Sequence, residues 1–192
     1  MDHQSHFFFA IRIPEQTKLV MREHMEKIKE RTPFSRWVHY QDLHITLAFL
    51  GSSSPDKLIE ADKNVKAVLI DETAFTLKIN KLGFFGSGTS PRVFWADTEE
   101  NNHLQTIRKK VFSACAKAGF QLETRPFRPH ITLARKWIGQ QSFQIELLDL
   151  WEEFQPAPLS FIAGEVVLYQ THLNKTPKYE AIKIYPLTST ET

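Results

Sequence analysis

The pentapeptide H-I-T-L-A at His44–Ala48 occurs a second time, unchanged, at His130–Ala134, 86 residues further along the chain. Both copies are rich in β-branched and apolar residues, so each is expected to form a strand. A Phe-x-Ala stretch recurs at the same offset, at Phe8–Ala10 and Phe94–Ala96. This echo predicts two half-domains related by internal duplication and joined in one compact unit.

Each copy of the pentapeptide places one imidazole beside one hydroxyl. Side chains at positions i and i+2 share a face of a strand. His44 and Thr46 are therefore expected on one face, and His130 and Thr132 on the equivalent face of the second copy. The opposite faces are predicted to point into a core and carry Leu43, Ile45, Leu47, Phe49, Ile131 and Leu133.

The evidence for function is the repetition. A single His-x-Thr arises easily by chance, whereas two copies in an identical pentapeptide do not. Strict alternation also places Ala48 and Ala134 on the histidine faces, where small side chains leave room for a ligand. Purely structural retention of a duplicated strand is the alternative.

The remaining pattern alternates between helix and strand signals. Helices are predicted at 15–30, from 55 to about 70, at 104–118 and, as a short segment, at 143–154. Strands are predicted at 6–13, 43–50, 75–79, 92–97, 130–136, 160–169 and 179–185, with a Gly-rich loop at 83–88 and a loose tail at 188–192.

Composition narrows the class of protein. The chain has 192 residues, of which 42% are hydrophobic and 24% charged, values that are ordinary for a globular domain and exclude a disordered chain, a fibre or a coiled coil. The one cysteine, Cys115, excludes a disulfide framework and a zinc site built from several thiolates. No apolar run reaches the roughly 18 residues of a membrane helix, and Met1–His6 is polar and lacks the pattern of a signal peptide. We therefore expect a cytoplasmic protein that does not associate with a membrane. We also expect no obligate protein partner.

Charge is distributed unevenly although the net charge is only +2. Residues 101–136 contain eight Lys or Arg and one acid, and residues 137–174 contain five acids and no Lys or Arg. A basic segment of this kind attracts a phosphate-bearing partner. A solvated helix face is the alternative.

Two imidazoles and two hydroxyls suit displacement at a phosphorus atom. With an ordinary pKa near 6.5, one histidine accepts a proton from water while the other donates one to the departing oxygen. Thr46 and Thr132 are expected to donate hydrogen bonds to the non-bridging phosphate oxygens. This chemistry needs no metal or other cofactor, and the sequence contains no carboxylate cluster suited to a metal.

These motifs resemble the two-histidine phosphoesterase superfamily, and within it the bacterial RNA 2′,3′-cyclic phosphodiesterases, a LigT-like group formerly described as 2′-5′ RNA ligases. The resemblance rests on 8–11 before Pro14, on His44–Gly51 and on Phe127–Arg135, with smaller matches at Gly83–Phe85 and at 167–169 leading to Tyr179.

The resemblance implies a bilobed α+β fold over residues 1–192, with antiparallel sheets flanking a central cleft and helices outside. It also implies hydrolysis of a 2′,3′-cyclic phosphate, on an RNA end or a nucleoside, to a 2′-phosphomonoester. Motif order then makes His44 the proton donor and His130 the proton acceptor, although spacing alone leaves that polarity open. Thr171 and Thr176-Pro177 depart from the family's usual Ser and Gly-Pro, which puts the substrate contacts of that loop in doubt.

Four further residues are candidate substrate contacts: Arg128, Arg135, Phe8 and Phe127. Alternation places Arg128 and Lys136 on the face of His130 and turns Arg135 away from it. Aromatic rings stack on bases in single-stranded RNA sites, but core packing is the competing role of each phenylalanine. Rival functions are a nucleotide- or RNA-binding module with little turnover, 2′-5′ RNA ligation, and a cyclic phosphodiesterase of small metabolites.

Overall fold

Four α-helices form in the computed structural model, which describes residues 5–189. They are α1 (Glu15–Lys29), α2 (Pro55–Leu69), α3 (Asn102–Lys117) and α4 (Leu150–Phe154). The first three confirm the predicted helices, and α3 ends before Gly119, whose positive φ of 93° favours glycine. The predicted helix at 143–154 is a 3₁₀ turn, Ile145–Asp149, followed by α4.

Among the described residues, nine strands form two antiparallel sheets, so the α+β class is confirmed. Sheet 1 has the order β3-β1-β8-β9 and sheet 2 the order β2-β6-β5-β4-β7. The strands are β1 (Phe7–Arg12), β2 (Phe34–Trp37), β3 (His44–Gly51), β4 (Phe75–Gly86), β5 (Pro91–Thr98), β6 (His130–Trp137), β7 (Leu159–Ala163), β8 (Glu165–Thr171) and β9 (Tyr179–Pro186).

The two sheets repeat one arrangement around the motif strands. In sheet 1 the motif strand β3 pairs with β1, and in sheet 2 the motif strand β6 pairs with β5. Strands β3 and β6 contact each other, which brings the two pentapeptides together. The repeated Phe-x-Ala stretch made Ala10 equivalent to Ala96, and this prediction is wrong by one residue. Ala10 lies opposite Thr46, but the residue opposite Thr132 is Trp95 and not Ala96. The duplication itself stays a prediction.

A β-bulge interrupts both motif strands at the same place. The register with β1 shifts between Thr46 and Ala48, and the register with β5 shifts between Thr132 and Ala134. In each case the leucine between them is the extra residue. A bulge of this kind reverses which face the following side chains occupy.

The bulge corrects three expected orientations. Ala48 and Ala134 are buried in the main core and do not line the histidine faces. Phe49, expected in that core, is 53% exposed. The other inward positions are as predicted. Ile45 and Ile131, before the bulge, and Leu47 and Leu133, in the bulge, are at most 3% exposed and belong to the main core, which also contains residues of α1, α2 and α3.

Two further strand predictions are wrong. The Gly-rich stretch at 83–88 is a loop only at its end, because β4 continues through Gly86 and residues 87–88 alone lie in the turn before β5. The predicted strand at 160–169 is two strands that break at Gly164 and belong to different sheets. Strand β2, at the edge of sheet 2, was not predicted.

Within residues 5–189, no helix combines the length and apolar character needed to cross a membrane. Of the predicted tail, Thr188 forms a bridge to Thr73, and residues 190–192 lie outside the described residues.

Glycine is required at position 83 because the indole ring of Trp95 occupies the space of a side chain there. Gly83 lies directly opposite Trp95 in the β4–β5 pair, and a Cβ atom at this position would lie 2.2 Å from Cη2 of the indole. We expect Gly83→Ala to lower the free energy of unfolding by about 1–3 kcal/mol through overpacking. Chemical denaturation measures the change. Gly164→Ala is the control, because its Cβ meets nothing within 4 Å, and equal stability of the two variants would contradict this account.

Candidate active site

The ring of His44 is fixed at both nitrogens. Nδ1 lies 2.7 Å from the carbonyl oxygen of Asp42, and Nε2 lies 3.0 Å from Oγ1 of Thr46. A carbonyl only accepts, so Nδ1 carries the proton. In the neutral ring Nε2 is therefore an acceptor, and the Thr46 hydroxyl donates to it.

His130 is held in the same way in the second sheet. Its Nδ1 donates to the carbonyl oxygen of Arg128 at 2.8 Å. Each motif histidine thus bonds the carbonyl two residues before it, and each keeps Nε2 as the nitrogen available for proton transfer. Because the bond is to the backbone, the side chain two residues earlier is free to differ.

Aromatic rings surround His44. The ring centroids of Phe8, Tyr179 and Tyr169 lie 4.8, 5.2 and 6.1 Å from that of the imidazole. Phe8 and Tyr169 belong to a small apolar cluster, separate from the main core, on the histidine face of sheet 1. Phe8 is itself buried, so it supports the imidazole from the side.

Aromatic rings also surround His130. The rings of Phe85 and Trp95 lie 4.9 and 6.0 Å from it. The guanidinium of Arg128 lies 5.1 Å from the centroid of Trp95 and 5.6 Å from that of Phe85. Both imidazoles therefore occupy apolar settings, and the second has a cation stacked beside it.

Arg135 lies on the same face as His130. Val93 and Trp95 are two residues apart on β5 and share a face; Trp95 pairs with Thr132, and Val93 pairs with Arg135. The bulge thus returns Arg135 to the histidine face, and the expectation that turned it away is wrong.

The site disfavours charge on both rings. Burial lowers the pKa of His44 to about 4, the bond to the Asp42 carbonyl opposes that shift, and the charge of His130 adds to it. Burial also lowers the pKa of His130, again opposed by a carbonyl bond, and the cations Arg135 and Arg128 lower it further. In the free protein both imidazoles are neutral at pH 7.

Asp42 connects His44 to the loop between β8 and β9. Its carboxylate is buried and accepts hydrogen bonds from the backbone N–H groups of Lys178 and Tyr179, both at 3.0 Å. Asp42 thus orients the imidazole through its carbonyl and fixes the segment that carries the Tyr179 ring through its side chain.

Comparison with known proteins identifies the family. The model of the 2′-5′ RNA ligase superfamily matches residues 18–175. The RNA 2′,3′-cyclic phosphodiesterase of Bacillus subtilis is 34% identical over 181 residues, which cover 94% of this chain and 96% of that protein. The chain belongs to the 2′-5′ RNA ligase superfamily.

Other members of the superfamily are similar over most of this chain. The RNA 2′,3′-cyclic phosphodiesterase of Geobacillus stearothermophilus is 41% identical over 184 residues, which cover 96% of this chain but 58% of that protein. This chain therefore spans little more than half of the Geobacillus protein. The crystal structure of E. coli LigT complexed with 3′-AMP superposes with a TM-score of 0.73 at 24% identity, covering 96% of this chain and 98% of LigT, and supports the fold.

The site brings some predicted residues together and not others. His44, Thr46, His130, Thr132, Arg128 and Arg135 lie on the two histidine faces, and Phe8 packs beside His44. Phe127 instead packs on the main core, with the guanidinium of Arg108 5.2 Å from its ring. In residues 5–189, no group of three or more potential metal ligands is present.

Sequence reasoning missed Asp42 and Trp95. Trp95 had no signal, because the Phe-x-Ala echo pointed to its neighbours. The Phe85, Tyr169 and Tyr179 rings, by contrast, lie in stretches that the resemblance singled out.

The ionisation of this superfamily site is directly measurable. We expect ring-nitrogen NMR of the free protein to show His44 titrating near pH 4, His130 titrating below 6.5, and both rings protonated at Nδ1 at pH 7. A phosphate anion favours the imidazolium form, so added inorganic phosphate should raise both pKa values. Titration of either ring at or above pH 6.5 without phosphate would contradict the account.

Proposed function

We propose that this protein hydrolyses the 2′,3′-cyclic phosphate of RNA ends, and of nucleosides, to a 2′-phosphomonoester by acid–base catalysis with His44 and His130. The observation that carries the proposal is the matched pair of imidazoles. Each is held through Nδ1 by a backbone carbonyl, so that Nε2 is the unprotonated nitrogen, and each lies two residues from a threonine. The relatives named RNA 2′,3′-cyclic phosphodiesterase support the substrate.

His130 is proposed as the base. Its neutral Nε2 takes a proton from water as the water oxygen attacks phosphorus. The neutral state at pH 7 is already the state that a base needs, and the nearby Arg128 and Arg135 charges help to maintain it. They also attract the anionic substrate.

His44 is proposed as the acid that protonates O3′ as the P–O3′ bond breaks, which leaves a 3′-hydroxyl and a 2′-phosphate. Its pKa of about 4 in the free protein is too low for this role at pH 7. A phosphate anion about 4 Å away contributes about 4 kcal/mol at an effective dielectric constant near 20. That is about 3 pKa units, which brings the His44 pKa close to 7 in the complex.

The threonines stabilise charge that develops on the phosphate. In the complex, the Thr46 hydroxyl is proposed to turn from Nε2 of His44 to a non-bridging oxygen, and Thr132 to bind its counterpart. Both groups belong to the chain itself, and the mechanism uses no cofactor. We also propose a cytoplasmic location, where RNA ends of this kind are available.

Removal of either histidine tests the function. We expect His44→Ala and His130→Ala each to lower kcat by about 10²–10⁴-fold on cytidine 2′,3′-cyclic phosphate, the range for one acid or base. The double variant should lose much less than the product of the two losses, because the pair acts as a unit. His103→Gln, on α3, is the control and should retain activity.

Phosphorus NMR of the product completes the test, with only the 2′-phosphomonoester expected. Binding of the cyclic phosphate without turnover in the wild type would identify a binding module instead. Near-normal kcat in either alanine variant would reject the acid–base assignment.

A further inference from the structure

A second, strongly basic surface adjoins the histidine face of sheet 2. It is a groove of about 490 Å³ along β2, β6 and β5, which we term the basic groove. Four cations line it, Arg36, Arg92, Arg135 and Lys136, together with Ser90, Pro91, Val93 and Trp137. None of these lining residues is acidic.

The cations in the groove oppose one another. Arg36 and Arg135 are direct partners across β2 and β6, and like charges in that position destabilise a sheet. Within residues 5–189, the ion pairs involve other arginines (Arg12, Arg31 and Arg125) and other lysines (Lys78, Lys81, Lys110, Lys175 and Lys183). No carboxylate of this range therefore pairs with Arg36, Arg92, Arg135 or Lys136. The fold gains nothing from this repulsion, which an anionic ligand would relieve.

The backbone of the groove is also strained. Lys136 has a φ of 63°, in the left-handed region that non-glycine residues rarely adopt. This conformation follows the bulge and leaves Arg135 and Lys136, adjacent in sequence, both exposed and both lining the groove. Backbone strain of this kind is found most often at binding and active sites.

The groove continues from the reacting centre. Arg135 shares the face of His130. Their partners on β5, Val93 and Asp97, are four residues apart, so at about 3.3 Å per residue the two Cα atoms lie about 13 Å apart along β6. Arg36 lies one strand further out. One phosphate cannot contact both His130 and Arg36, so a ligand that uses the whole surface carries several phosphates. Trp137 adds an aromatic ring beside the cations, a combination typical of single-strand binding grooves.

We propose that the basic groove binds the phosphodiester backbone of the nucleotides on the 5′ side of the cyclic phosphate, so that the preferred substrate is an oligonucleotide end and not a mononucleotide. This inference rests on the proposed function for the terminal phosphate, but the groove itself binds RNA whether or not turnover occurs.

The double variant Arg36→Gln/Arg92→Gln tests the groove without changing a residue of the catalytic pair. We expect kcat/KM for a hexanucleotide with a 2′,3′-cyclic end to fall about 10-fold or more, and kcat/KM for cytidine 2′,3′-cyclic phosphate to stay within about 2-fold. The slope of log KM against log salt for the hexanucleotide should decrease by about 1.4, or about 0.7 for each lost phosphate contact.

Lys63→Gln/Lys66→Gln is the matched control. It removes two exposed cations from α2, the same change in charge, and should alter neither substrate. Arg36→Gln removes the repulsion between Arg36 and Arg135, so this single variant should not lower the thermal midpoint of unfolding. An equal loss of kcat/KM for the two substrates in Arg36→Gln/Arg92→Gln would overturn the inference. So would an equal loss for the hexanucleotide in the two double variants.

A binding assay separates this inference from the proposed function. Fluorescence anisotropy with a labelled hexanucleotide that ends in a 3′-phosphate requires no hydrolysis. If the wild type cleaves no cyclic phosphate, the proposed function fails, and a Kd at least about 10-fold weaker in Arg36→Gln/Arg92→Gln still supports the groove. An unchanged Kd would reject the groove even if mononucleotides are hydrolysed.

Discussion

The bulge after the threonine of each H-I-T-L-A strand is the constraint on which the site depends. Before the bulge, alternation sends the histidine and threonine to one face and isoleucine to the core. At the bulge, Leu47 and Ala48 are both buried, as are Leu133 and Ala134. After it, Arg135 emerges on the histidine face of sheet 2, and Phe49, the partner of Phe8, emerges on that of sheet 1. One extra residue in each motif strand thus adds a buried side chain to the core and brings a third strand residue, after the histidine and the threonine, onto each histidine face.

Desolvation explains why the histidines differ from ordinary surface imidazoles. The aromatic rings around His44 and His130 supply the apolar setting, and backbone carbonyls fix the tautomer. Both rings are therefore neutral until an anion arrives. In the proposed mechanism the substrate phosphate itself supplies the field that protonates the acid, so the charged catalytic state forms when the substrate is bound.

The sequence predicted what depends on short-range pattern. The three long helices, both motif strands and the pairing of each histidine with its threonine followed from periodicity and repetition. It did not reveal the bulges, which depend on register with a neighbouring strand, so Phe49, Ala48 and Arg135 were assigned to the wrong faces. The four-residue edge strand β2 was too short to show alternation. Gly83 suggested a loop, but its small size accommodates Trp95, a contact between strands that a single sequence does not display.

The central claim is that His44 donates a proton and His130 accepts one at the same phosphorus atom. An RNA end in which sulfur replaces the leaving 3′ oxygen tests it most directly, because a thiolate departs without an acid. The account predicts that His44→Gln, which is severely impaired on the oxygen substrate, recovers on the sulfur substrate, whereas His130→Gln stays impaired on both because water must still be activated. Recovery of His130→Gln instead of His44→Gln would contradict the assigned roles, and recovery of neither would contradict the claim that the pair includes an acid.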